Sequence, residues 1–503
     1  MARGMLDILL DRPRPATPPP PPPPRCETDF DCNGGNGVCE AASGTCVCNP
    51  SWRGLLCNEL SFKPNSGRRA YHSSAWASSG SPILEQLASR RDIPSRADGG
   101  KQQRPQGAEE EEEEEVVSSA VYHLFSSRMR NGCGLTHSDL NSEIIHLTSP
   151  NATGPYTIAA TAPNGGVALG AVGSDTAWDN GSPYGPSVHR LPNGTYVMFY
   201  QAMLRTSGQP PSQDCSPTAG SGAHGQKNGS AAGANDPNAT VGTGDGRRIG
   251  VALADSLDGP WRRSSTPLLH GTSLQPTGST TTNAQTVCVD EQEPAVLIKQ
   301  DGSVLIMWNC NDWRGKGPMQ ANATGGRGPQ HILLATAPTI DGPYVRNATH
   351  NMLFSPSGAT LWIDNRTGIY HGLFGTTIGS TPFGAGTHCW SNDGVVWEGQ
   401  NNMPAFTGRV GWAQAPPQAV AQASAQASVL AWRGLPSLLL DGEPGSSYGQ
   451  PRVLFTGAAD CVGHSENETA GDGVPCGEVS DGATSAVASG TTKSYCALQE
   501  LAT

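Results

Sequence analysis

Two short hairpin motifs alternate along the chain, and this alternation constrains the fold more than any other feature of the sequence. The first motif is x-P-x-V, four further residues, Asn-Gly or Asp-Gly, and a strand that ends in aromatic residues. It occupies residues 185–200 and 293–308, and residues 359–374 hold a looser copy. Asn-Gly and Asp-Gly supply the positive φ angles that a tight hairpin turn requires. Each copy therefore predicts an antiparallel hairpin.

The second motif lies between copies of the first. It is a strand, then Asp-Gly, then an aromatic residue that begins the next strand, at residues 249–261, 332–344 and 387–397. Short apolar segments separated by Gly, Pro, Asn and Asp predict a mainly β chain with little helix. Alternating hairpins at this interval are typical of the blades of a β-propeller. A two-sheet sandwich also uses many strands, but it does not require two interleaved motifs.

Six cysteines near the N-terminus add a second constraint. They follow the order C-x5-C-x6-C-x6-C-x-C-x8-C between Cys26 and Cys57. So small a unit cannot bury enough apolar surface to offset its chain entropy, and we expect covalent links. Six cysteines allow 15 pairings. Zinc sites use cysteines with two to four residues between them, and no pair here has that gap. Disulfides predict an oxidising compartment outside the cytoplasm.

The spacing, with Trp52 and Gly54 ahead of the last cysteine, resembles the epidermal-growth-factor-like (EGF-like) module. This resemblance implies three disulfides, which are Cys26–Cys39, Cys32–Cys46 and Cys48–Cys57. It also implies that the module is a spacer or a contact site for an extracellular protein partner.

Composition divides the chain into four parts. Residues 1–25 are proline-rich and predict an extended polyproline segment, and residues 26–58 are the EGF-like module. Residues 59–118 lack apolar periodicity, end in a run of glutamates and predict a disordered linker. Residues 119–503 are predicted to form the propeller. Low-complexity inserts, which should loop out from its turns, lie at residues 207–247, 314–328 and 414–428.

Export is predicted by two further features. Nine N-x-[ST] sequons favour a secreted or cell-surface glycoprotein; they begin at Asn151, Asn180, Asn193, Asn228, Asn238, Asn322, Asn347, Asn365 and Asn467. The net charge of −12 excludes a nucleic-acid partner, which requires a basic face. The first residues lack the apolar core of a signal peptide, so either the start is misassigned or an upstream signal or anchor is missing.

The hairpin motifs resemble the five-bladed propellers of glycoside hydrolase family 43 and its relatives. More closely, an EGF-like module, a linker and a propeller in this order resemble a group of algal and protist proteins. The family resemblance implies a base, a general acid and a third carboxylate at the inner ends of successive blades. The corresponding positions here are Gly185, Glu293 and Ser357-Gly358-Ala359, so one of three acids is kept. Six blades are the alternative count.

Candidate site residues follow from the resemblance. Glu293 is expected to face the central cavity as a catalytic carboxylate, or to cap backbone amides at a blade end. Asp179 is the candidate displaced base, although Asp-Asn-Gly is also an ordinary turn. His388 resembles a histidine that such propellers aim into the channel, although a core histidine is the simpler interpretation. Trp178, Trp362 and Trp390 are candidates for stacking on sugars or for packing between blades.

Two functions remain open at the level of sequence. One is an extracellular glycosidase acting on polysaccharide through Glu293 and Asp179. The other is a catalytically degenerate propeller that binds a glycan or a protein. No cofactor or metal site is expected, apart from a structural calcium ion in the propeller channel. Two carboxyl groups about 5 to 9.5 Å apart across the cavity would favour catalysis.

Overall fold

A computed structural model gives the fold. It describes residues 24–71, 77–86, 120–130, 141–172, 177–204, 246–269, 290–311, 330–347, 356–376, 386–410, 428–429, 432–443, 445–459 and 494–502. The proline run, the glutamate run and most of each low-complexity insert lie outside these ranges.

The N-terminal disulfide module has two small sheets, and the last strand of the second sheet lies just beyond the predicted bounds of 26–58. Its strands are β1 (Gly37–Glu40) paired with β2 (Thr45–Cys48), and β3 (Trp52–Arg53) paired with β4 (Glu59–Leu60). A 3-10 turn at Asp29–Asp31 precedes them. The disulfides join the same three pairs that the EGF-like resemblance implies, which are Cys26–Cys39, Cys32–Cys46 and Cys48–Cys57.

The remaining described chain forms a mainly β propeller of five antiparallel blades, as the motifs and the family resemblance predict. Blade 1 contains β6 (Ala77–Gln86), β7 (Ala120–Met129), β8 (Ser142–Ser149), β9 (Thr157–Ile158) and β10 (Val167–Leu169), with a helical turn at Pro163–Gly166. Blade 2 contains β11 (Pro183–Arg190), β12 (Tyr196–Leu204), β13 (Gly246–Ala254) and β14 (Arg262–Arg263). Blade 3 contains β15 (Asp290–Ile298), β16 (Val304–Asn311), β17 (Gln330–Ala337) and β18 (Val345–Arg346).

Blades 4 and 5 complete the ring. Blade 4 contains β19 (Pro356–Ile363), β20 (Tyr370–Thr376), β21 (Gly386–Ser391) and β22 (Glu398–Phe406), and β23 (Arg409–Val410) with β24 (Ser428–Val429) forms a separate pair. Blade 5 contains β25 (Trp432–Leu440), β26 (Pro451–Ala459) and β27 (Ser494–Glu500). Its outermost strand comes from the N-terminal side of the chain, where β5 (Arg68–Arg69) pairs with β27.

Part of the predicted linker is therefore structured, and the prediction for residues 59–118 is wrong over 59–71 and 77–86. Residues 68–69 close blade 5, and β6 is the inner strand of blade 1, so the propeller begins before residue 119. The two arginines of β5 gave no strand signal, because an outermost strand needs only backbone hydrogen bonds and little apolar surface. The inner strand β6 begins with small residues, Ala77 to Ser81, which include no β-branched or aromatic side chain. Residues 87–119 lie outside the described residues.

The apolar core lies between neighbouring blades. Phe199 and Trp308 lie in the cluster shared by blades 2 and 3, and Leu361 and Trp397 lie in the cluster shared by blades 3 and 4. The disulfide module joins this core, since Trp52 packs in one cluster with Trp362 of blade 4 and Leu454 of blade 5. The module is therefore docked on the propeller.

Candidate functional site

The five inner strands surround a central cavity. Each inner strand carries a register shift near its start, which is the mark of a β-bulge. Residues in or next to these bulges line the cavity, whose volume is about 110 Å³. In blades 2 to 5 one bulge residue has a positive φ; these residues are Gly185, Glu293, Gly358 and Leu435. Three of the five bulges contain a proline, which is Pro186, Pro294 or Pro436, and in blades 2 and 3 this proline is the one of the x-P-x-V motif.

A loop closes the opposite end of the cavity. It follows β25, and its Ser447 is buried. The Ile298 N–H donates to Ser447 Oγ at 3.1 Å, and the Ile363 N–H donates to the Ser447 carbonyl at 2.8 Å. The Arg190 N–H donates to the Gly445 carbonyl at 3.1 Å. The loop bonds to the ends of three inner strands, so the described residues close this end of the cavity. The other end, at the bulges, is called its mouth.

Glu293 is fixed at the mouth by contacts with two neighbouring blades. Its φ is 54°, and its N–H donates to Gln201 Oε1 of blade 2 at 2.6 Å. Its Oε2 accepts from Asn309 Nδ2 at 2.6 Å and from the Gly358 N–H of blade 4 at 2.5 Å. The carboxylate therefore both lines the cavity and caps a backbone amide, while the catalytic role of Glu293 remains a prediction.

Among the described residues that line the cavity, the only other carboxylate is Glu443. It belongs to the closing loop, four residues before Ser447. The strand from Glu293 to Ile298, which bonds to that loop, rises about 16 Å. Glu293 thus belongs to the bulge end of the cavity and Glu443 to the loop at the other end, so the described lining has no second carboxylate among its bulge residues.

Asp179 lies away from the cavity lining. It is 3% exposed, and its Oδ2 accepts from Tyr200 Oη at 2.7 Å and from Arg263 Nη1 at 2.7 Å. Burial, and next the charge of Asp179, raise the pKa of Tyr200, so its hydroxyl keeps its proton. The structure does not bring Asp179 and Glu293 together. Its predicted catalytic role remains a prediction, while its observed contacts are those of a buried ion pair.

The structure places His388 and Trp390 beneath the disulfide module. Asn33 Nδ2 lies 2.9 Å from His388 Nδ1, and the Phe30 ring lies 5.6 Å from the Trp390 ring. Neither His388 nor Trp390 lines the cavity. A predicted sugar contact by these two residues would require the module to move.

The other two tryptophans are also packed. Trp178 donates its indole N–H to the Ser264 carbonyl at 2.9 Å and lies against Tyr200. Trp362 is stacked on His371 with ring centroids 5.1 Å apart. Both side chains are buried, so their stacking faces are occupied by protein.

The sequence motifs did not identify His189 as a residue of the cavity. His189 lies two residues after Ser187 on β11, and both line the cavity. Its Nε2 lies 2.9 Å from Ser187 Oγ, and burial lowers its pKa to about 4. Strand alternation from Gly185 places residues 187 and 189 on one face, and this signal could have found His189 once β11 was known to be an inner strand.

The described residues around the cavity do not form a cluster of metal-ligating side chains. Among the described residues, one group of three metal-ligating side chains lies close enough to share an ion, and it consists of Cys26, Cys32 and Cys46. Their sulfurs are used in disulfides. Calcium requires six to eight oxygen ligands, and the described cavity wall offers carboxylates only at opposite ends. We therefore assign no step to a metal.

These features define a class of molecule: a five-bladed propeller with a central cavity, one carboxylate at its mouth, and a docked disulfide module. No protein-family model and no curated protein matches the chain. Similar solved structures include a family 117 glycoside hydrolase of the marine bacterium Zobellia galactanivorans. It is 13% identical, with a TM-score of 0.44 over 90% of this chain and 91% of that chain.

Two further similar structures are also glycoside hydrolases. A thermostable family 43 enzyme is 13% identical, with a TM-score of 0.38 over 76% of this chain and 84% of that chain. The catalytic domain of the family 62 α-L-arabinofuranosidase of Coprinopsis cinerea is 10% identical, with a TM-score of 0.39 over 88% of this chain and 97% of that chain.

The described helical segments include none that is long and apolar enough to cross a membrane.

Proposed function

We propose that this protein recognises a carbohydrate at the mouth of its central cavity, with Glu293 as the anchoring acceptor, and that it does not hydrolyse it through a Glu293–Asp179 pair. The observation that carries the proposal is the placement of these two carboxylates. Glu293 lines the cavity, whereas Asp179 is bound to Arg263 and Tyr200 away from it.

The chemistry of the cavity wall suits a neutral ligand rich in hydroxyl groups. Polar side chains that line it include Ser81, Ser187, His189 and Glu293. Together they offer both hydrogen-bond donors and hydrogen-bond acceptors, as sugar hydroxyls require. Pro186 and Pro294 add apolar surface at the mouth, which can lie against the C–H face of a sugar ring.

Hydrolysis needs a carboxylic acid and a carboxylate on either side of the scissile bond. General acid catalysis contributes roughly 10² to 10⁴ to the rate, whereas binding by hydrogen bonds does not depend on a second carboxylate. The described site therefore supports binding of a carbohydrate more directly than hydrolysis of it.

Affinity electrophoresis in gels that contain arabinan, xylan or galactan tests this proposal. The wild-type protein should be retarded by at least one of them. Glu293→Gln should weaken binding about 10- to 100-fold, because a hydrogen bond to a charged group is worth about 1.5 to 3 kcal/mol. The matched control is Glu443→Gln at the closed end, which should bind like the wild type.

Release of reducing ends from the same polysaccharides should stay at the level of a blank. Turnover that disappears in Glu293→Gln would contradict the proposal and favour the glycosidase. Binding that is equally strong in wild type and Glu293→Gln would place the ligand elsewhere.

Location and modification form part of the same proposal. We expect an exported, N-glycosylated protein whose disulfides form in an oxidising compartment. The EGF-like module is then available to an extracellular protein partner through the surface that faces away from blade 4. Val38, Val47 and Leu55 are exposed on the module.

A further inference from the structure

Two histidines of blade 4 form a hydrogen-bonded line beneath the disulfide module. His371 lies on β20 and His388 on β21, and both are buried. His371 Nδ1 lies 3.0 Å from His388 Nε2. His388 Nδ1 in turn lies 2.9 Å from Asn33 Nδ2 of the module. The line therefore crosses the interface between module and propeller.

The contacts of Asn33 fix the proton positions along this line. Asn33 Nδ2 also donates to the Cys57 carbonyl at 3.4 Å, which an amide oxygen could not do. His388 Nδ1 must then accept from Asn33, so His388 carries its proton on Nε2 and donates it to His371 Nδ1. His371 carries its own proton on Nε2, for which the described part of the chain offers no hydrogen-bond partner. Both rings are neutral when the module is docked.

Neither ring can take up a proton and keep the line intact. A proton on His388 Nδ1 would face the Asn33 amide donor, and a proton on His371 Nδ1 would face the His388 donor. Turning the Asn33 amide over would direct its oxygen at the Cys57 carbonyl. Protonation therefore removes at least one hydrogen bond of the line and weakens the contact between module and blade.

The surroundings offer little compensation for a positive charge. The Trp52 ring lies 4.7 Å from the His388 ring, and Trp362 is stacked on His371. The charged groups that act on His371 are Asp364 and Arg366, which form an ion pair with each other at 2.9 Å. Among the described residues, no carboxylate oxygen lies within 4.0 Å of a ring nitrogen of His371 or His388.

The remaining titratable groups on the packed strands do not supply a counter-charge. Cys389 on β21 is buried, and burial raises the pKa of its thiol to about 12, so it stays neutral. Glu398 on β22 pairs in register with Trp390, and its side chain is exposed. On the module, Arg53 forms an exposed ion pair with Glu59.

We propose that docking of the disulfide module on blade 4 is acid-labile, and that protonation of the His371–His388 pair releases the Asn33 loop, residues 28–36, from the propeller. The direction follows from burial, which lowers the pKa of His371 from 6.5 to about 4 and holds that of His388 well below 6.5. Docking is then at full strength above pH 6.5 and weakens as the pH falls from 6.5 towards about 4. A single histidine whose pKa falls from 6.5 to about 4 on docking makes the docking equilibrium constant about 30-fold smaller at pH 5 than at pH 7.5.

The rate at which a phosphine reductant reaches a module disulfide can measure this opening. Cys32 is buried in the apolar cluster that the module shares with blades 4 and 5. The Cys32–Cys46 disulfide should therefore be reduced by tris(2-carboxyethyl)phosphine mainly in the released state. The measured quantity is its reduction rate in the native full chain divided by the rate in urea at the same pH, which cancels the pH dependence of the reagent.

We expect this ratio to rise about 30-fold between pH 7.5 and pH 5 in the wild type. It should change less than about 3-fold in the double variant His371→Gln/His388→Gln, which lacks the titrating rings. The matched control is His123→Gln/His146→Gln, because these two histidines form a similar buried pair in blade 1, with ring nitrogens 2.8 Å apart. That control should keep the pH dependence of the wild type.

Asn33→Asp provides a second variant in case the double variant does not fold. A carboxylate next to His388 Nδ1 would stabilise the protonated ring, so the acid-induced rise should shrink or disappear. A wild-type ratio that does not change with pH would overturn the proposal. So would a pH dependence that is the same in the wild type, the double variant and Asn33→Asp.

Discussion

Glu293 occupies a backbone conformation that glycine provides at the matching positions of two other blades. Its φ of 54° lies beside values of 63° for Gly185 and 70° for Gly358. A left-handed conformation costs a residue with a Cβ about 1 to 2 kcal/mol. The contacts of Glu293 with Gln201, Asn309 and Gly358 offset this cost. Strain at a residue that also lines the cavity supports a functional reason for keeping the glutamate.

Two substitutions separate the backbone from the side chain at this position. Both Glu293→Ala and Glu293→Gly lose the contacts of the carboxylate, but only Gly relieves the positive φ. We expect the alanine variant to be less stable than the glycine variant by about 1 kcal/mol in urea unfolding. Equal stabilities would show that the bulge of blade 3 relaxes to a negative φ.

A different prediction concerns Asp179. Removing its charge leaves Arg263 without its partner in a mostly buried site, so Asp179→Asn should lower the free energy of unfolding by about 3 kcal/mol. The neighbouring pair Arg262–Asp255 is exposed, with side-chain exposures of 57% and 79%. Asp255→Asn, as the control, should change stability by less than about 1 kcal/mol. If Asp179→Asn is as mild as the control, then Asp179 is not a structural residue, and its catalytic role regains support.

Among the elements, hairpins were predictable and the closing strand was not. Asn193-Gly194 and Asp301-Gly302 fix their turns through local chemistry, and both glycines have φ near 90°. β5 carries no such signal. It has two arginines, and it exists because its backbone pairs with Ala497 and Leu498 more than 400 residues away in the chain. Pairing at such a distance leaves no periodic pattern in the local sequence.

Ring closure can be tested at the residue that follows β5. The N–H of Ala70 donates to the Cys496 carbonyl at 2.9 Å, and Ala70 is fully buried. Ala70→Pro removes this donor and leaves the carbonyl without its partner, whereas Ala70→Gly keeps it. We expect the proline variant to be less stable than the glycine variant by about 2 kcal/mol, measured by urea unfolding. Equal losses would mean that this bond does not contribute to closing the ring.

For the whole molecule, the sequence predicted the architecture better than the site. The repeats define the blades, and the x-P-x-V alignment located Glu293 at an inner strand. The partners of Asp179, His388 and the three tryptophans depend on which blades and modules pack together. That packing brings Asn33 to His388 across 355 positions of sequence. No local motif encodes it.

The proposed carbohydrate site at Glu293 should bind its ligand without cleaving it. The most direct measurement is a crystal structure of the protein with the oligosaccharide that binds best in affinity electrophoresis. We expect an intact ligand at the mouth of the cavity, with a sugar hydroxyl within hydrogen-bond distance of the Glu293 carboxylate. A cleaved product in the cavity, or a ligand bound beside Asp179 with the cavity empty, would contradict it.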